Sequence, residues 1–133
     1  MTASPADCRF CLGNGLLVDE PILSNRSTFL LGSIDPEMPI AGMIVPFRHS
    51  ETPFELNAME WQDIGEMLVH AREHLAVHKP DGFSIGWNVG AVAGQEVMHA
   101  HLHVIARFKG QGVDGVGIRR VIRPAHVAGE SNT

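Results

Sequence analysis

Residues 97–105 read VMHAHLHVI, and this stretch decides both the fold and the chemistry that we expect. Side chains of a β-strand alternate between the two faces of a sheet, so its three histidines share one face. They are His99, His101 and His103, spaced about 6.6–7 Å apart along the strand. The apolar residues between them point to the other face, where they can pack on a core. Because buried imidazoles need hydrogen-bond partners, three in strict alternation indicate a functional site.

Two kinds of functional site can use three imidazoles on one strand face. In the first, two or three rings bind a zinc ion that polarises water. In the second, one ring attacks the substrate covalently while its neighbours orient it and bind the anion. Imidazole suits the covalent role because its pKa of about 6.5 leaves it largely neutral and nucleophilic at pH 7. The residues alone leave both possibilities open.

The composition predicts an ordinary globular chain. Its 133 residues fit a single domain at 1–133, and 44% of them are hydrophobic against 19% charged. The formal net charge of −5 argues against nucleic acid as a partner but allows a small anion in a local pocket. No stretch approaches the about 18 apolar residues that cross a bilayer, and residues 1–10 do not resemble a signal peptide. We therefore expect a cytoplasmic protein with no membrane partner.

One long helix is predicted over residues 58–78. Asn57 and Glu60 have the spacing of an N-cap and its capping-box partner. The sequence Lys-Pro-Asp-Gly at 79–82 ends the helix. Apolar residues recur between these limits at helical spacing and form one stripe. They are Trp61, Ile64, Leu68, Ala71 and Leu75.

Short β-like runs surround this helix. They are residues 16–18, 28–31, 43–45, 83–88, 99–108 and 119–122. One helix among several short strands favours the α+β class with an antiparallel sheet. We expect residues 1–15 to form a loop around a cysteine pair, and residues 110–133 to form a C-terminal loop that carries the last short strand and a tail.

Four segments of the chain, in the right order, resemble the histidine triad (HIT) family of nucleotide hydrolases and transferases. They are the His-x-His-x-His run at 99–103 with two apolar residues after it, its approach from Asn88 through Gln95 to Glu96, the Ile44–His49 segment, and Cys8-Arg9-Phe10-Cys11. The resemblance covers roughly residues 8–109. It implies a HIT-like fold, an open antiparallel five-stranded sheet (a half-barrel) with one main helix, and a homodimer.

The resemblance also implies a covalent mechanism centred on His101. This ring would attack the α-phosphorus of a dinucleoside polyphosphate or a nucleoside phosphoramidate, and water or another acceptor would resolve the nucleotidyl-histidine intermediate. His103 would hydrogen-bond the phosphate, and His99 would fix the orientation of His101. Asn88 would bind near the ribose and phosphate, and Gln95 belongs to the phosphate-binding stretch. Two alternatives stay open: a zinc hydrolase with the three histidines as ligands, and a nucleotide-binding protein with little turnover.

Three positions depart from the family's pattern. Ala41 stands where many members carry a histidine that supports the nucleophile. Ser33 stands where an Asn or Asp often contacts the ribose, and Glu96 stands where Ser or Thr often follows the glutamine. Ser33 and Glu96 are therefore expected at the substrate, and the departures bear on specificity and rate more than on the class of reaction.

Cys8 and Cys11 are the only cysteines, too few and too close for a secreted disulfide scaffold, which favours a reducing compartment. Taken alone, the pair is half a zinc site, a redox pair or a chance spacing. The family resemblance supplies two further ligands, His49 and His99, which resemble the positions that join the cysteines in zinc-bearing members. The implied Cys₂His₂ zinc site would be structural, since four protein ligands leave no position for water.

Two other patterns have weaker functional interpretations. His70, His74 and His78 share one stripe of the predicted helix, which we interpret as a solvated stripe or a dimer rim. The glycine-rich stretch 110–117 lacks the Gly-Lys-Ser/Thr of a P-loop. We interpret it as a flap near the site whose basic neighbours contact a second nucleotide's phosphates or a partner chain. Those neighbours are Arg107, Lys109, Arg119 and Arg120.

Overall fold

A computed structural model describes residues 5–121, which form an antiparallel sheet with one long helix packed on it. The strands are β1 (Leu23–Ser24), β2 (Thr28–Gly32), β3 (Ala41–Pro46), β4 (Gly82–Trp87) and β5 (Leu102–Arg107), and the helices are α1 (Ala58–Ala76) and α2 (Ile118–Val121). Single turns of 3-10 helix lie at Leu12–Asn14, Pro53–Glu55 and Ala91–Ala93. The order across the sheet is β1-β2-β3-β5-β4, with every neighbouring pair antiparallel. The predicted α+β class, with a five-stranded open sheet and one main helix, is confirmed.

Helix α1 begins at the predicted residue. The Asn57 side chain accepts a hydrogen bond from the Glu60 backbone N–H at 2.8 Å, and the Glu60 carboxylate accepts one from the Asn57 N–H at 3.0 Å, so the capping box forms in full. The helix ends at Ala76, two residues before the predicted end, because Lys79 takes a left-handed φ of 55° that closes the last turn.

One face of the sheet is covered by α1. Its buried apolar side chains, Ile64, Met67, Ala71 and Leu75, pack against Leu30, Ile44, Leu102 and Val104 of the strands. The predicted stripe differs at two positions. Met67 is fully buried, whereas Trp61 remains 45% exposed because it packs edge-on against Trp87 at the rim, with ring centres 5.8 Å apart.

Two buried carboxylates fasten α1 to the loops beside it. Arg48 donates to Glu60 at 2.7 Å, and Arg26 donates to Asp63 at 2.8 Å. Burial raises the pKa of the Glu60 carboxyl, but the hydrogen bonds from Arg48 and from the Asn57 backbone outweigh it and leave the pKa below its ordinary value. Both carboxylates are therefore charged at neutral pH, and they stabilise the helix position as ion pairs.

The opposite face of the sheet is covered by the N-terminal segment, residues 5–18. Its Cys8, Phe10 and Cys11 are buried in a cluster completed by strand residues Phe29, Leu31 and Val45. We call this side of the sheet the histidine face, because the side chain of His103 projects there from β5. Helix face and histidine face are thus closed by different parts of the chain.

The predicted strand at 16–18 is wrong. Leu17 instead packs against the cluster on the histidine face, so this stretch crosses the sheet surface and gains no strand partner. The edge strand β1 forms later, where the Ile22 N–H donates to the Leu30 carbonyl and Leu23 lies opposite Leu30.

The strand predicted at 119–122 is also wrong over the residues that the structure describes. The Arg120 N–H donates to the Gly117 carbonyl, and this local bond winds 118–121 into the short helix α2. Residues 122–133, with the predicted tail, lie outside the described part. The strand predicted at 99–108 begins only at Leu102, because the Ala100 N–H donates to the Ser50 carbonyl of a loop. Between residues 5 and 121, no helix has the length and apolar character needed to span a membrane.

Candidate functional site

The three triad rings lie on one face, although only His103 belongs to a regular strand. His103 pairs with Met43 on one side and Gly86 on the other. The His101 and His103 ring centres are 4.9 Å apart, and the Phe10 ring packs edge-on against His101 at 5.0 Å and against His99 at 6.2 Å. The alternation read from the sequence therefore holds, and Phe10 covers the rings from the N-terminal segment.

His99 belongs to a buried cluster of four metal-binding side chains. Its Nδ1 atom lies 3.5 Å from Cys8 Sγ, 3.5 Å from Cys11 Sγ and 3.3 Å from His49 Nδ1. Cys11 Sγ is 3.3 Å from His49 Nδ1, and all four ligand atoms lie within 4.8 Å of one another. In residues 5–121 this is the one group of His, Cys, Asp or Glu side chains arranged in this way.

These separations fit a tetrahedral zinc ion. With Zn–S of about 2.3 Å and Zn–N of about 2.0 Å, tetrahedral angles hold sulfur and nitrogen ligands about 3.5 Å apart and two nitrogens about 3.3 Å apart. Three of the four sulfur–nitrogen separations here are 3.3 to 3.5 Å, and the nitrogen–nitrogen separation is 3.3 Å. The four side chains together can bind a metal ion, and the Cys₂His₂ donor set is one that zinc uses in closed structural sites.

The hydrogen bonds around His99 also suit a metal ligand. Its Nε2 donates to the Pro46 carbonyl at 2.7 Å, so Nε2 carries the proton and the Nδ1 lone pair faces the cysteines. Burial lowers the pKa of His99 to about 4, and the bond to Pro46 only partly opposes this. Burial likewise raises the pKa of the Cys8 thiol, and the hydrogen bond with Cys11 adds to the rise. A thiolate at Cys8 therefore requires a cation beside it.

His49 comes from a different segment and, like His99, is placed as a candidate metal ligand. It lies three residues after β3, is only 5% exposed, and directs Nδ1 into the cluster. Its Nε2 atom is buried and meets no hydrogen-bond partner within residues 5–121. The contacts of this ring that the structure shows are thus all on the side of the cluster.

His101 is held in the opposite tautomer. Its Nδ1 lies 2.7 Å from the His99 carbonyl oxygen, and since a carbonyl can only accept, Nδ1 carries the proton and Nε2 bears the lone pair. Within residues 5–121 no group hydrogen-bonds Nε2, and this atom is not sealed from solvent. Burial lowers the pKa of His101, and the charges of His103 and Arg9 lower it further, while the bond to His99 and the charge of Glu96 oppose them. The ring is therefore a neutral imidazole at pH 7.

His103 lies beside it, half-buried and without a hydrogen-bond partner among the described residues. Burial lowers the pKa of His103, and the charge of the exposed Glu96 partly opposes this. Glu96 therefore lies close enough to act on both rings. The two imidazoles form a pair of neutral groups with free ring nitrogens at the edge of the covered region.

Gln95 is buried, and its carboxamide is fully used by the backbone. Its Nε2 donates to the Glu51 carbonyl at 2.7 Å and to the Val97 carbonyl at 3.0 Å, while Oε1 accepts from the Gly90 N–H at 2.8 Å. This leaves the side chain no N–H for a phosphate in this conformation. What Gln95 does instead is to shape the loop from 90 to 97, in which Gly90 and Gly94 take φ values of 87° and 94°.

Asn88 and Ser33 are placed at different distances from the triad. Asn88 follows β4, is exposed and lies against Gly94, whose added Cβ would come within 3.7 Å of the Asn88 amide nitrogen. Ser33 follows β2, and its N–H pairs with the Ala41 carbonyl. The register places Ser33 two strands from β5, about 10 Å across the sheet. Its hydroxyl accepts from the Asp35 N–H at 3.1 Å and keeps its own proton to donate.

The glycine-rich segment packs at the far end of the sheet. Arg107 donates to the Val113 and Val116 carbonyls at 2.7 and 3.0 Å, so its guanidinium holds this loop. A cavity of about 420 Å³ lies here, between the ends of β4 and β5 and the loop, about 13 Å along the strand from His103. The loop then returns, so that Ile118 at the start of α2 lies near Gly86 beside His103. Arg119 and Arg120 are exposed on α2.

The histidines of the predicted stripe, His70 and His74 on α1 and His78 just after it, are exposed. His70 Nδ1 lies 3.9 Å from the Glu73 carboxylate. The stripe gathers no metal-binding group among the residues described. The sequence patterns did not indicate Arg9 and Phe10 as residues of the site. Their position between Cys8 and Cys11 is the signal that could have found them, because a bound metal would fix both on the histidine face.

Comparison with known proteins gives one consistent result. The family model of the HIT domain matches residues 19–110. An uncharacterized HIT-like protein of Methanocaldococcus jannaschii is 29% identical over 79% of this chain and 82% of its own. An uncharacterized HIT-like protein of Borreliella burgdorferi is 29% identical over 86% of this chain and 83% of its own. The crystal structure of a HIT-family member from Bacillus subtilis superimposes with a TM-score of 0.72, at 23% identity, over 90% of this chain and 83% of that one.

Proposed function

The chain belongs to the HIT domain family, and from that premise we propose that it is a nucleotide hydrolase or nucleotidyl transferase that uses a covalent histidine intermediate. Its substrates are dinucleoside polyphosphates or nucleoside phosphoramidates, attacked at the α-phosphorus. The observation that carries the proposal is the state of His101, a neutral ring whose Nδ1–H bonds the His99 carbonyl and whose Nε2 has no hydrogen-bond partner within residues 5–121. An imidazole in this tautomer is a nucleophile ready for phosphorus.

In the first step, the Nε2 lone pair of His101 forms a bond to the α-phosphorus. The bond from phosphorus to the leaving group breaks, and the leaving group keeps the electron pair. The ring becomes positively charged, and the His99 carbonyl that accepts from Nδ1–H stabilises this charge. The geometry therefore supports the nucleophile where charge develops.

In the second step, water or another acceptor attacks the phosphorus of the nucleotidyl-histidine. The phosphorus–nitrogen bond breaks, its electron pair returns to Nε2, and the acceptor loses its proton to the solvent or the departed group. With water the product is a nucleoside monophosphate. The ring then returns to its neutral tautomer, ready for the next substrate.

Other residues bind the substrate in this proposal. His103 donates to a phosphoryl oxygen beside His101, and Asn88 contributes its free amide near the ribose and phosphate. Gln95 acts through the loop that it holds between Gly90 and Val97. Ser33 and Glu96 also contact the substrate in this proposal. The Ser33 hydroxyl has a proton to donate, and the Glu96 charge acts on the rings of His101 and His103.

The metal site has a structural role. Cys8, Cys11, His49 and His99 would hold zinc, which, when bound, supplies a positive charge that keeps both thiolates ionised and ties the N-terminal segment to the sheet. His101 and His103 are not part of this group, so the geometry does not favour a zinc hydrolase with all three triad rings as ligands. Holding His99 in turn fixes the carbonyl that orients His101.

We also propose a homodimer in the cytoplasm with a nucleotide as its small-molecule partner. The edge strand β4 has one free side among the described residues, and its Ile85 is 49% exposed. An open edge of this kind can pair with another chain. Light scattering on the purified protein would give twice the chain mass for a dimer, and the mass of one chain would contradict it.

The test of the proposed function combines activity with metal analysis. Hydrolysis of diadenosine tetraphosphate and of adenosine 5′-phosphoramidate is measured on the wild-type chain and on His101→Ala, and zinc content is measured on both. Loss of activity with zinc retained supports covalent catalysis. Loss of zinc together with activity would contradict it, and tight binding of adenosine monophosphate with cleavage of neither compound would favour a binding protein.

A further inference from the structure

Arg9 differs from the other half-buried arginines of the described chain. Arg48 donates to a buried carboxylate, and Arg107 donates to a serine hydroxyl and two carbonyls. The Arg9 Nε atom is buried, yet it meets no hydrogen-bond acceptor within residues 5–121, and no carboxylate pairs with this side chain there. Burying a charged N–H without a partner costs free energy, and an anion that accepts a hydrogen bond from this N–H would offset the cost.

The fold directs Arg9 towards the catalytic ring. Cys8 precedes it and Cys11 follows two residues later, and both are candidate metal ligands, so a bound metal would hold its backbone from both sides. The guanidinium carbon lies over the Phe10 ring, 5.1 Å from its centre, and the edge of the same ring packs on His101 with centres 5.0 Å apart. The Phe10 ring thus contacts both the Arg9 guanidinium and the His101 ring. A chain of a few phosphates can bridge the distance between these two groups.

The charge balance around His101 calls for such a cation. The chain has a formal net charge of −5, and the acidic residue Glu96 lies near His101 and His103. A polyphosphate leaving group carries several negative charges past the phosphorus that is attacked. A guanidinium presents five N–H donors in a planar fork that matches phosphate oxygens, and it is always charged.

On the basis of the proposed function, we infer that Arg9 binds the phosphate chain of the leaving group and so determines specificity for dinucleoside polyphosphates over phosphoramidates. The α-phosphate stays with His101 and His103, and the phosphates beyond it reach the guanidinium. Arg9 lies outside residues 19–110, the part that the family model matches, so this contact belongs to the chain's own N-terminal segment. A metal bound at this site would therefore also hold Arg9 in place.

The test compares two substrates in three variants. Arg9→Gln removes the charge, Arg9→Lys keeps it without the planar fork, and Arg72→Gln, on the exposed face of α1, is the matched control. For each, kcat/KM is measured with diadenosine tetraphosphate and with adenosine 5′-phosphoramidate, together with zinc content. We expect Arg9→Gln to lower the ratio of the two values, tetraphosphate over phosphoramidate, about tenfold or more through KM, Arg9→Lys to lower it less, and Arg72→Gln to leave it unchanged.

A binding measurement separates this inference from the proposed function. In the His101→Ala background, where covalent attack cannot occur, calorimetry gives the affinity for diadenosine tetraphosphate and for adenosine monophosphate with and without Arg9→Gln. The inference predicts a loss of about tenfold or more for the tetraphosphate and a much smaller loss for the monophosphate. Equal losses for both, or none, would overturn the inference even if the wild-type chain is an active hydrolase. Selective loss would uphold it even if turnover proves negligible.

Discussion

His99 and His101 are two residues apart on one face of the sheet, yet the structure gives them opposite chemical positions. His99 is fully buried, with Nε2 bonded to a carbonyl and Nδ1 facing two cysteines and His49. His101 has Nδ1 bonded to a carbonyl, and its Nε2 meets no hydrogen-bond partner in the part of the chain that the structure describes. One ring is therefore arranged as a closed metal ligand and the other as a nucleophile. Alternation in the sequence sets the face, whereas the hydrogen-bond partners of each ring decide its chemistry.

The carbonyls that make this difference come from neighbouring backbone. His99 Nε2 donates to Pro46, at the end of β3, and His101 Nδ1 donates to His99 itself. Each hydrogen bond to a carbonyl fixes the proton on one ring nitrogen and leaves the other nitrogen with its lone pair. The candidate metal ligand and the proposed nucleophile are thus coupled, because the carbonyl of His99 orients the ring of His101.

The largest effect is expected from removing the free ring. His101→Ala should lower kcat/KM by at least about 10⁴-fold, because no other group then forms the covalent intermediate. Zinc content should change little, since His101 supplies no ligand atom to the cluster and its Nδ1 bonds only the backbone carbonyl of His99. Steady-state kinetics and metal analysis on the same sample check both halves. Residual activity within tenfold of wild type would break the comparison.

The next effect is expected from opening the closed cluster. Cys11→Ser should release most of the metal and lower the free energy of unfolding by about 3 kcal/mol or more, because bound zinc contributes directly to folding. Activity should fall as a consequence, since the segment that carries Phe10 loosens over His101. Chemical denaturation with and without a chelator measures the effect. A variant that keeps a full equivalent of zinc would contradict the assigned ligand set.

A smaller effect distinguishes a loop-holding role of Gln95 from a phosphate contact. Gln95→Leu leaves the Gly90 N–H and two backbone carbonyls without their partner, which should cost about 1–3 kcal/mol of unfolding free energy. If Gln95 instead contacts the phosphate directly, KM rises while the unfolding free energy stays at its wild-type value. Denaturation curves and kinetics on the one variant decide between the two roles.

The smallest effect comes from the helix face, which serves as a control for the histidine face. Glu60 has a pKa below its ordinary value of 4.5 in the folded state, so the stability that it contributes is present above that value and is lost as the pH falls through the folded pKa. Glu60→Gln should lower the unfolding free energy by about 1 kcal/mol at pH 7 and flatten its decline between pH 6 and 3. Zinc content should not change. An unaltered pH dependence would contradict the Arg48–Glu60 ion pair.

Local patterns in the sequence predicted the elements that depend on local interactions. The capping box of Asn57 and Glu60 fixed the start of α1, and the alternation at 99–103 placed three rings on one face. The strand predicted at 119–122 failed locally, because the Arg120 N–H bonds the Gly117 carbonyl, whereas the strand predicted at 16–18 failed because distant residues decide the outcome. Residues 16–18 look like a strand, but Leu17 finds its contacts in the cluster on the histidine face.

The site was predictable to the same degree. The resemblance to the HIT family named the four metal ligands, and the structure brings those side chains together. The full use of the Gln95 amide by the backbone was not predictable, nor was the lack of a hydrogen-bond partner for Arg9 Nε within residues 5–121, because both depend on which carbonyls and rings from other segments lie within reach. Sequence spacing carries no information about such contacts.

The central claim is that His101 carries the nucleotide during turnover. Intact mass spectrometry after rapid acid-free quenching of the wild-type chain with diadenosine tetraphosphate measures this directly. The account predicts an added mass of one adenylyl group in wild type and none in His101→Ala. Turnover by wild type with no adduct at any quench time, or an adduct that persists in His101→Ala, would contradict it.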